Sequence, residues 1–304
     1  MDNNKIMIVG TGNVGASIAY GIMNQRTAVN EIVLTDIIAK DAEGEAMDLR
    51  DALAVAPSFV KTKNGTYKDA RDCDVVVITA GAAQRPGETR MELLKKNVNI
   101  LKGMIEQIMD AGFNGIFLVV TNPMDVLTYY TYKFSGLPSE KVIGSGTVLD
   151  SARLRARIGN YLDTNPKSVH AYQVGEHGDT ELTLWSLADL GGQPVTKLLD
   201  RKLRDGISDF VKNEAYDIIE KKGATYYGIA TCVVDILNCI FNDEMRVLPV
   251  SSYDHFSDTS FGWPTVVGRG GIIRRLDLKI SESEGVALQK SINTLKKAIS
   301  SVRY

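Results

Sequence analysis

The alternation of short apolar runs with longer amphipathic segments limits the fold of this chain more than any other feature. Runs rich in Val, Ile and Leu occur at residues 5–9, 31–35, 74–79, 115–120 and 141–143. Runs of this length are typical of strands buried on both faces of a parallel sheet. Segments with helical periodicity lie between them at 14–24, 39–53, 89–109 and 124–134. The pattern predicts an α/β fold, a doubly wound parallel sheet with right-handed crossovers.

The second half of the chain has a different pattern. Helices are predicted over residues 150–161, 207–222, 224–241 and 281–302, an extended segment over 168–174, and antiparallel strands over 247–253 and 265–273. This mixture is typical of an α+β arrangement. We therefore expect a boundary near residues 143–149, with one domain over 1–145 and a second over 146–304.

Composition excludes several classes of function. The 304 residues carry a formal net charge of −2, which lacks the concentrated basic field of a nucleic-acid or membrane-surface binder. No apolar run approaches the roughly 18 residues of a membrane span, and the N-terminus lacks the features of a signal peptide. The three cysteines and three histidines form no CxxC or HxxxH pattern. We expect a cytoplasmic protein without a disulfide framework or a metal site.

A glycine-rich turn follows the first predicted strand directly. Residues 10–15 read GTGNVG, the G-x-G-x-x-G spacing, and open the first predicted helix. In that context Gly10 permits a tight turn, Gly12 lets the backbone approach a pyrophosphate, and Gly15 lets helix and strand pack closely. Asp36 ends the second apolar run, where its carboxylate can accept hydrogen bonds from ribose hydroxyls and would repel a 2′-phosphate. The segment predicts a Rossmann-type site for NAD; the alternative is a tight strand–helix turn with an Asp cap.

Charged residues near 150 and 177 are candidates for chemistry. In a helix that begins near residue 149, Asp150 and Arg153 share a face, whereas Arg155 points elsewhere. Arg153 could hold a substrate carboxylate by a two-pronged, charge-assisted contact, although such pairs are also common surface salt bridges. His177 lies in GEHGD, a turn where its ring can face a cleft and exchange protons near neutral pH; a plain loop histidine is the alternative. An odd separation along an extended segment places His170 and His177 on opposite faces.

Two further loops follow predicted strands. Residues 81–90 read GAAQRPGETR and could close over a ligand and exclude water, or serve only as a solvated loop. Asn122 precedes a proline at the end of the fourth strand. It could donate a hydrogen bond to a substrate oxygen, or cap the helix that follows.

Taken together, these segments resemble the lactate/malate dehydrogenase family. The segments that carry the resemblance occur in the family's order and approximate spacing across essentially the whole chain: GTGNVGAS, LTD, GAAQRPGETR, TNPMDVLT, IGSGTVLDSARLR, HAYQVGEHGD and KKGATYYGIA. The resemblance implies hydride transfer between NAD and a small 2-hydroxy acid.

The resemblance also implies roles for individual residues. His177 matches the proton donor and acceptor, Asp150 the carboxylate that orients it, Arg153 the group that binds the substrate carboxylate, and Arg90 the loop arginine that polarises the carbonyl. The other substrate contacts implied are Gln84, Asn122 and Thr225. The implied cofactor contacts are Gly10, Gly12, Asn13, Val14, Gly15, Asp36, Tyr67, Gly81, Ala82 and Asn122.

The identity of residue 84 separates the branches of the family that the chain resembles. Malate-specific members carry Arg at the matching position, whereas Gln84 leaves a second substrate carboxylate unpaired in a closed pocket, which costs several kcal/mol. The resemblance therefore favours pyruvate and L-lactate, and a shift of one residue, onto Arg85, would reverse this choice. Malate or branched 2-hydroxy acids are the nearest alternative substrates, and an NAD-binding protein without activity is a more distant one.

A regulatory site and an assembly are implied by the same resemblance. Arg155 and His170 match positions that bind fructose 1,6-bisphosphate in activated bacterial relatives, where symmetry mates meet across a two-fold axis. The alternative is a pair of polar residues at an unregulated interface. A homotetramer is also implied.

Overall fold

An eight-stranded sheet forms the centre of the protein, which a computed structural model describes for residues 4–82, 87 and 89–302. In chain order the strands are β1 (Lys5–Val9), β2 (Glu31–Thr35), β3 (Lys61–Asn64), β4 (Val75–Ile78), β5 (Ile116–Val119), β6 (Val142–Gly144), β7 (Val169–His170), β8 (Gln173–Val174), β9 (Leu182–Thr183), β10 (Asp189–Leu190), β11 (Gln193–Pro194), β12 (Arg246–Leu248), β13 (Ser251–Asp254), β14 (Thr259–Gly262), β15 (Thr265–Gly268) and β16 (Gly271–Arg275). The large sheet has the order β14-β13-β6-β5-β4-β1-β2-β3. Strands β1 to β6 are parallel, and β13 and β14 are antiparallel additions at one edge.

Helices cover both faces of this sheet. They are α1 (Asn13–Asn24), α2 (Ala39–Ala52), α3 (Arg90–Asp110), α4 (Met124–Ser135), α5 (Val148–Tyr161), α6 (Val195–Leu198), α7 (Arg201–Lys222), α8 (Tyr227–Phe241) and α9 (Glu282–Ser300). Helices α1, α2 and α8 contribute to the core on one face, and α3, α4 and α9 to the core on the other. Among the described residues, no helix has both the length and the apolar character needed to cross a bilayer.

The predicted α/β fold is confirmed. Strand β1 is buried at every position, and β4 and β5 are likewise fully buried, as continuous apolar runs predict. The sheet has the doubly wound order 3-2-1-4-5-6 over its parallel strands.

Two features of the sheet were not predicted. Strand β3 reads KTKN and lies at the sheet edge, where alternate side chains face solvent and only Thr62 is buried, so it lacks an apolar run. Strands β13 and β14, from the second half of the chain, extend the sheet of the first half through pairing of Ser251 with Gly144.

The predicted extended segment 168–174 is two short strands, β7 and β8, which belong to different sheets.

The carboxyl ends of the parallel strands gather the loops of interest. The glycine turn follows β1, Asp36 follows β2, Gly81 follows β4, Asn122 follows β5, and α5 begins shortly after β6. In open α/β sheets this edge is where ligands bind.

Candidate active site

The glycine turn is shaped by two close backbone approaches and one open position. Gly10 has a φ of +100°, and a Cβ there would lie 2.6 Å from the backbone nitrogen of Ala80. A Cβ on Gly15 would lie 1.9 Å from the carbonyl oxygen of Gly10, so α1 packs directly against the turn. A Cβ on Gly12 would meet no atom within 4 Å. Gly12 is the N-cap of α1 and no described side chain caps it, which leaves the helix N-terminus open for an anion such as a pyrophosphate.

Asp36 is held beside this turn by the backbone. Its Oδ2 accepts hydrogen bonds from Thr11 N at 2.7 Å and Thr11 Oγ1 at 3.1 Å, and its Oδ1 accepts from Ile38 N at 3.1 Å. Burial alone would raise the pKa of Asp36, but these hydrogen bonds hold it below its ordinary value. Burial raises the pKa of the Tyr67 phenol, and the nearby charge of Asp36 raises it further. A fixed carboxylate one strand away from an open helix N-terminus fits the ribose and pyrophosphate of NAD.

The loops after β4 and β5 lie against each other. A Cβ on Gly81 would lie 2.3 Å from Thr121 Cγ2. Asn97 links the two loops, because its Oδ1 accepts from Ala82 N at 2.8 Å and its Nδ2 donates to the carbonyl of Asn122 at 3.2 Å. Asn122 Oδ1 accepts from Met124 N at 3.3 Å, the capping alternative that the sequence left open.

A histidine–carboxylate pair forms the centre of the candidate site. His177 Nδ1 lies 2.7 Å from Asp150 Oδ2. The Asp150 side chain is 3% exposed and the His177 side chain 27% exposed, so the carboxylate is buried behind a ring that reaches the cleft. The charge of Asp150 raises the pKa of His177 to about 9, although burial acts in the opposite direction. Burial alone would raise the pKa of Asp150, but the charges of His177 and Arg153 hold it below its ordinary value.

Arg153 meets the other oxygen of the same carboxylate. Its Nη1 lies 3.2 Å from Asp150 Oδ1, and its Nε lies 3.5 Å from a carboxylate oxygen of Glu214 on α7. Its side chain is 9% exposed. The i,i+3 spacing on α5 places Arg153 beside Asp150, as the sequence predicts. The tertiary fold brings the His177 imidazole to the same carboxylate.

The loop that carries His177 is tied to the first half of the chain by Asp125, which the sequence did not single out. Asp125 Oδ2 accepts from His177 N at 2.7 Å, and its Oδ1 accepts from Ser251 Oγ at 2.6 Å. Burial raises the pKa of Asp125 to about 7 against these hydrogen bonds. Because 52 residues separate Asp125 from His177, only the tertiary fold shows this contact.

Glu181 is a second carboxyl that was not predicted. It is 4% exposed, and a carboxylate oxygen of Glu181, a ring nitrogen of His177 and a carboxylate oxygen of Asp150 all lie within 4.8 Å of one another. These are residue types that bind cations. The short His177–Asp150 bond and the guanidinium beside the same carboxylate favour proton transfer over cation binding here, because a cation would be repelled by Arg153.

Three of the remaining predicted residues lie on α5, on β7 and in the loop between α7 and α8. Thr225 is half-buried in the loop between α7 and α8. Arg155 Nε donates to the Ser151 carbonyl at 3.3 Å. His170 is 67% exposed and lies 3.3 Å from a carboxylate oxygen of Asp189. Gln84 and the side chain of Arg90 lie outside the described residues.

Comparisons with known proteins agree with this geometry. The family model for the lactate/malate dehydrogenase NAD binding domain matches residues 4–144. The family model for the lactate/malate dehydrogenase alpha/beta C-terminal domain matches residues 147–303. The chain belongs to the lactate/malate dehydrogenase family. Its first 140 or so residues are thus the family's NAD binding domain, in agreement with the glycine turn and Asp36.

Relatives and solved structures of this family match over nearly their full lengths. L-lactate dehydrogenase 1 of Peribacillus psychrosaccharolyticus is 47% identical over 306 residues, which cover 97% of this chain and 96% of the relative. The crystal structure of minor L-lactate dehydrogenase from Enterococcus mundtii in its ligands-bound form matches with a TM-score of 0.97 and 42% identity, covering 100% of this chain and 99% of that one. A lactate dehydrogenase from a Medee basin deep-sea metagenome library has the same TM-score at 45% identity and covers both chains completely.

Proposed function

We propose that the protein is an NAD-dependent L-lactate dehydrogenase, which interconverts pyruvate and L-lactate. The observation that carries the proposal is the convergence of His177 and Arg153 on the buried Asp150. This group lies at the same sheet edge as the open glycine turn and Asp36. The similarity to L-lactate dehydrogenases over nearly the full chain supports the choice of pyruvate and L-lactate as substrates.

In this proposal one side chain binds the substrate carboxylate and another donates the proton. The guanidinium of Arg153 binds the carboxylate of pyruvate and fixes its orientation, a contact worth roughly 1.5–3 kcal/mol. Protonated His177 donates to the carbonyl oxygen, and Asp150 stabilises the imidazolium while keeping Nδ1 occupied, so that Nε2 serves the substrate. When bound, NADH supplies the hydride that the carbonyl carbon receives. Such positioned proton transfer contributes roughly 10²–10⁴-fold.

Other residues complete the proposed pocket on the strength of the family resemblance. Arg90 stabilises the negative charge that develops on the reacting oxygen. Asn122 and Thr225 line the substrate, and Gln84 selects a monocarboxylate. Tyr67, Gly81 and Ala82 contact the adenosine and pyrophosphate, with Asn13 and Val14 at the first turn of α1.

A panel of 2-oxo acids with NADH tests the activity. We expect pyruvate to be reduced with a much higher kcat/KM than oxaloacetate or branched 2-oxo acids. His177→Ala should lower turnover by about 10²–10⁴-fold while NADH binding stays near normal, and His255→Ala, at an exposed histidine, should leave both unchanged. Absence of reduction of every substrate would refute the proposed activity.

The choice of substrate within the family rests on one position. We propose that Gln84→Arg shifts preference from pyruvate toward oxaloacetate, because the new guanidinium pairs with the second carboxylate. Unchanged selectivity, or wild-type preference for oxaloacetate, would favour the malate alternative or a different discriminating residue.

We further propose a cytoplasmic homotetramer, with a dinucleotide-binding domain over 1–145 and a substrate domain over 146–304. Exposed aromatic side chains such as Tyr20 and Tyr227, which line the cleft between α1, α2 and α8, support self-association through this face. Light scattering should give four times the mass of 33.3 kDa, and a monomer would refute the assembly.

Activation by fructose 1,6-bisphosphate is proposed for Arg155 and His170. The contact of His170 with Asp189 would have to be exchanged for phosphate, so activation should be stronger when Asp189 is replaced by Asn. The effector should lower the apparent KM for pyruvate, and a titration without effect would refute the proposed regulatory site.

A further inference from the structure

Glu181 is a buried titratable group close to the His177–Asp150 pair, and the proposed mechanism does not use it. It lies four residues after His177, just before β9, and is 4% exposed. Its carboxylate lies within 4.8 Å of a ring nitrogen of His177 and an oxygen of Asp150. A buried carboxyl at this distance from a catalytic imidazole interacts with it strongly whenever both are ionised.

A hydrogen-bond chain fixes the position of this carboxyl. Gln173 Oε1 accepts from Thr183 Oγ1 at 2.6 Å, so its Nε2 is directed to Glu181 Oε1 at 2.9 Å. Gln173 is fully buried. Thr183 Oγ1 in turn lies 3.0 Å from Ser208 Oγ, which accepts from Trp185 Nε1 at 3.1 Å. The N–H of Gln173 held against Oε1 favours the ionised form of Glu181, whereas burial favours the neutral form, so the two effects oppose each other and Glu181 is able to titrate.

A solvent cleft reaches Glu181 between β9, α7 and α9. The cleft has a volume of about 310 Å³. Its charged and titratable lining residues are Asp179, Glu181, Asp205, Lys212 and Lys290. Glu181 itself lines this cleft, so it can exchange protons with solvent by this route. None of the described residues proposed to bind substrate lines the cleft.

We infer that Glu181 is a positioning residue for proton transfer, whose charge, set by protons from the cleft between β9, α7 and α9, controls the charge of His177. The inference rests on the proposed function, since it assigns His177 as the proton donor to pyruvate. It adds a further carboxyl, besides Asp150 and Asp125, that acts on the imidazole without touching the substrate.

The direction of the effect follows from the charges around the two groups. Burial, with the charge of Asp150, raises the pKa of Glu181 to about 8, while His177 and Lys212 oppose the rise. His177 faces Asp150, Asp125 and Glu181, all of which favour its protonated form. At pH 7 Glu181 is mostly neutral and exerts little force. Above pH 8 it becomes an anion, which stabilises the imidazolium and keeps the reductive form of the enzyme populated at alkaline pH.

The pH profile of pyruvate reduction tests this coupling with Glu181→Gln. The amide keeps the size and the bond to Gln173 but cannot ionise. We expect kcat/KM near that of the wild type at about pH 6, and an alkaline midpoint lower by roughly 1–2.5 pH units, the range that effective dielectric constants of about 50 to 20 give for two unit charges at this separation. Asp205→Asn is the matched control, because Asp205 lines the same cleft with a side chain that is 66% exposed, and its midpoint should not move.

A second readout does not depend on turnover. Diethyl pyrocarbonate acylates neutral imidazole, so the pH dependence of His177 modification in the enzyme without cofactor reports its pKa; His170→Gln/His255→Gln removes the other two histidines. Glu181→Gln should lower this midpoint by the same amount. An equal loss of kcat/KM at every pH with both midpoints unmoved would show a merely structural role and overturn the inference. If no 2-oxo acid is reduced but the modification midpoint still falls, the proposed function fails and the coupling stands.

Discussion

Replacing Asp150 by Asn tests the physical basis of the proposed acid most directly. Asp150 accepts from both His177 and Arg153, one through each oxygen, whereas an amide offers one acceptor oxygen and must turn its NH₂ toward the other donor. The charge that raises the pKa of His177 from 6.5 to about 9 is lost. A shift of this size corresponds to about 3 kcal/mol.

The consequence for pyruvate reduction can be worked from these values. At pH 7 a pKa of about 9 keeps roughly 99% of His177 protonated, and a pKa of 6.5 keeps about one quarter, so protonation alone costs roughly fourfold. Loss of ring orientation adds a larger factor, and kcat/KM should fall by at least ~10²-fold in total. The alkaline midpoint should move from about pH 9 to 6.5 or below, because burial of the His177 ring disfavours its protonated form once the charge of Asp150 is lost.

The control is a second His–Asp pair, which His170 and Asp189 form. Asp189→Asn removes the exposed partner of His170 and should leave the alkaline midpoint of pyruvate reduction unchanged. Steady-state rates from about pH 5 to 10 measure both variants. An Asp150→Asn enzyme whose midpoint remains near 9 would refute the assignment of the raised pKa to this carboxylate.

Four further substitutions test the cofactor and substrate sites. Gly15→Ala places a Cβ against the Gly10 carbonyl and should lower stability by about 1–3 kcal/mol in thermal unfolding, whereas Gly12→Ala, in open space, should fold normally but weaken NADH binding in a fluorescence titration; equal stability of the two variants would contradict this packing. Asp36→Ser should raise the relative use of NADPH at least about tenfold, since a carboxylate repels the 2′-phosphate; an unchanged NADH to NADPH ratio would argue against its place at the ribose. Arg153→Lys should raise the KM for pyruvate about 10- to 100-fold through loss of the two-pronged contact, with NADH binding as the unaffected reference.

Local patterns were sufficient to predict the parts of the fold and site that depend on neighbours in sequence. The apolar run 5–9 and the glycines after it specify a buried strand, a tight turn and a helix start within a dozen residues. The shared face of Asp150 and Arg153 follows from helical periodicity alone. These features could be predicted because each requires only the local chain and one buried surface.

Features that depend on the sheet edge or on distant contacts could not be predicted in the same way. Strand β3 is held by parallel pairing with β2 rather than by its own apolar pattern. The burial of Glu181 depends on Gln173, on α7 and on α9, elements that no local pattern brings together. A glutamate four residues after a candidate histidine was the only signal in the sequence, and in an extended or turn segment that spacing has no fixed meaning.

The contacts of Asp125 show that the geometry of the candidate site depends on both halves of the chain. It lies at the start of α4, and it holds the backbone of His177 and the side chain of Ser251 on β13. The imidazole is therefore placed by its backbone through α4 and by its ring through Asp150 on α5. Because each contact is a short bond to a buried carboxylate, a shift of either helix relative to the other would break one of them. The positions of His177 and Asp150 thus depend on how β13, α4 and α5 pack together, and Ser251 on β13 connects the antiparallel extension of the sheet to the candidate active site.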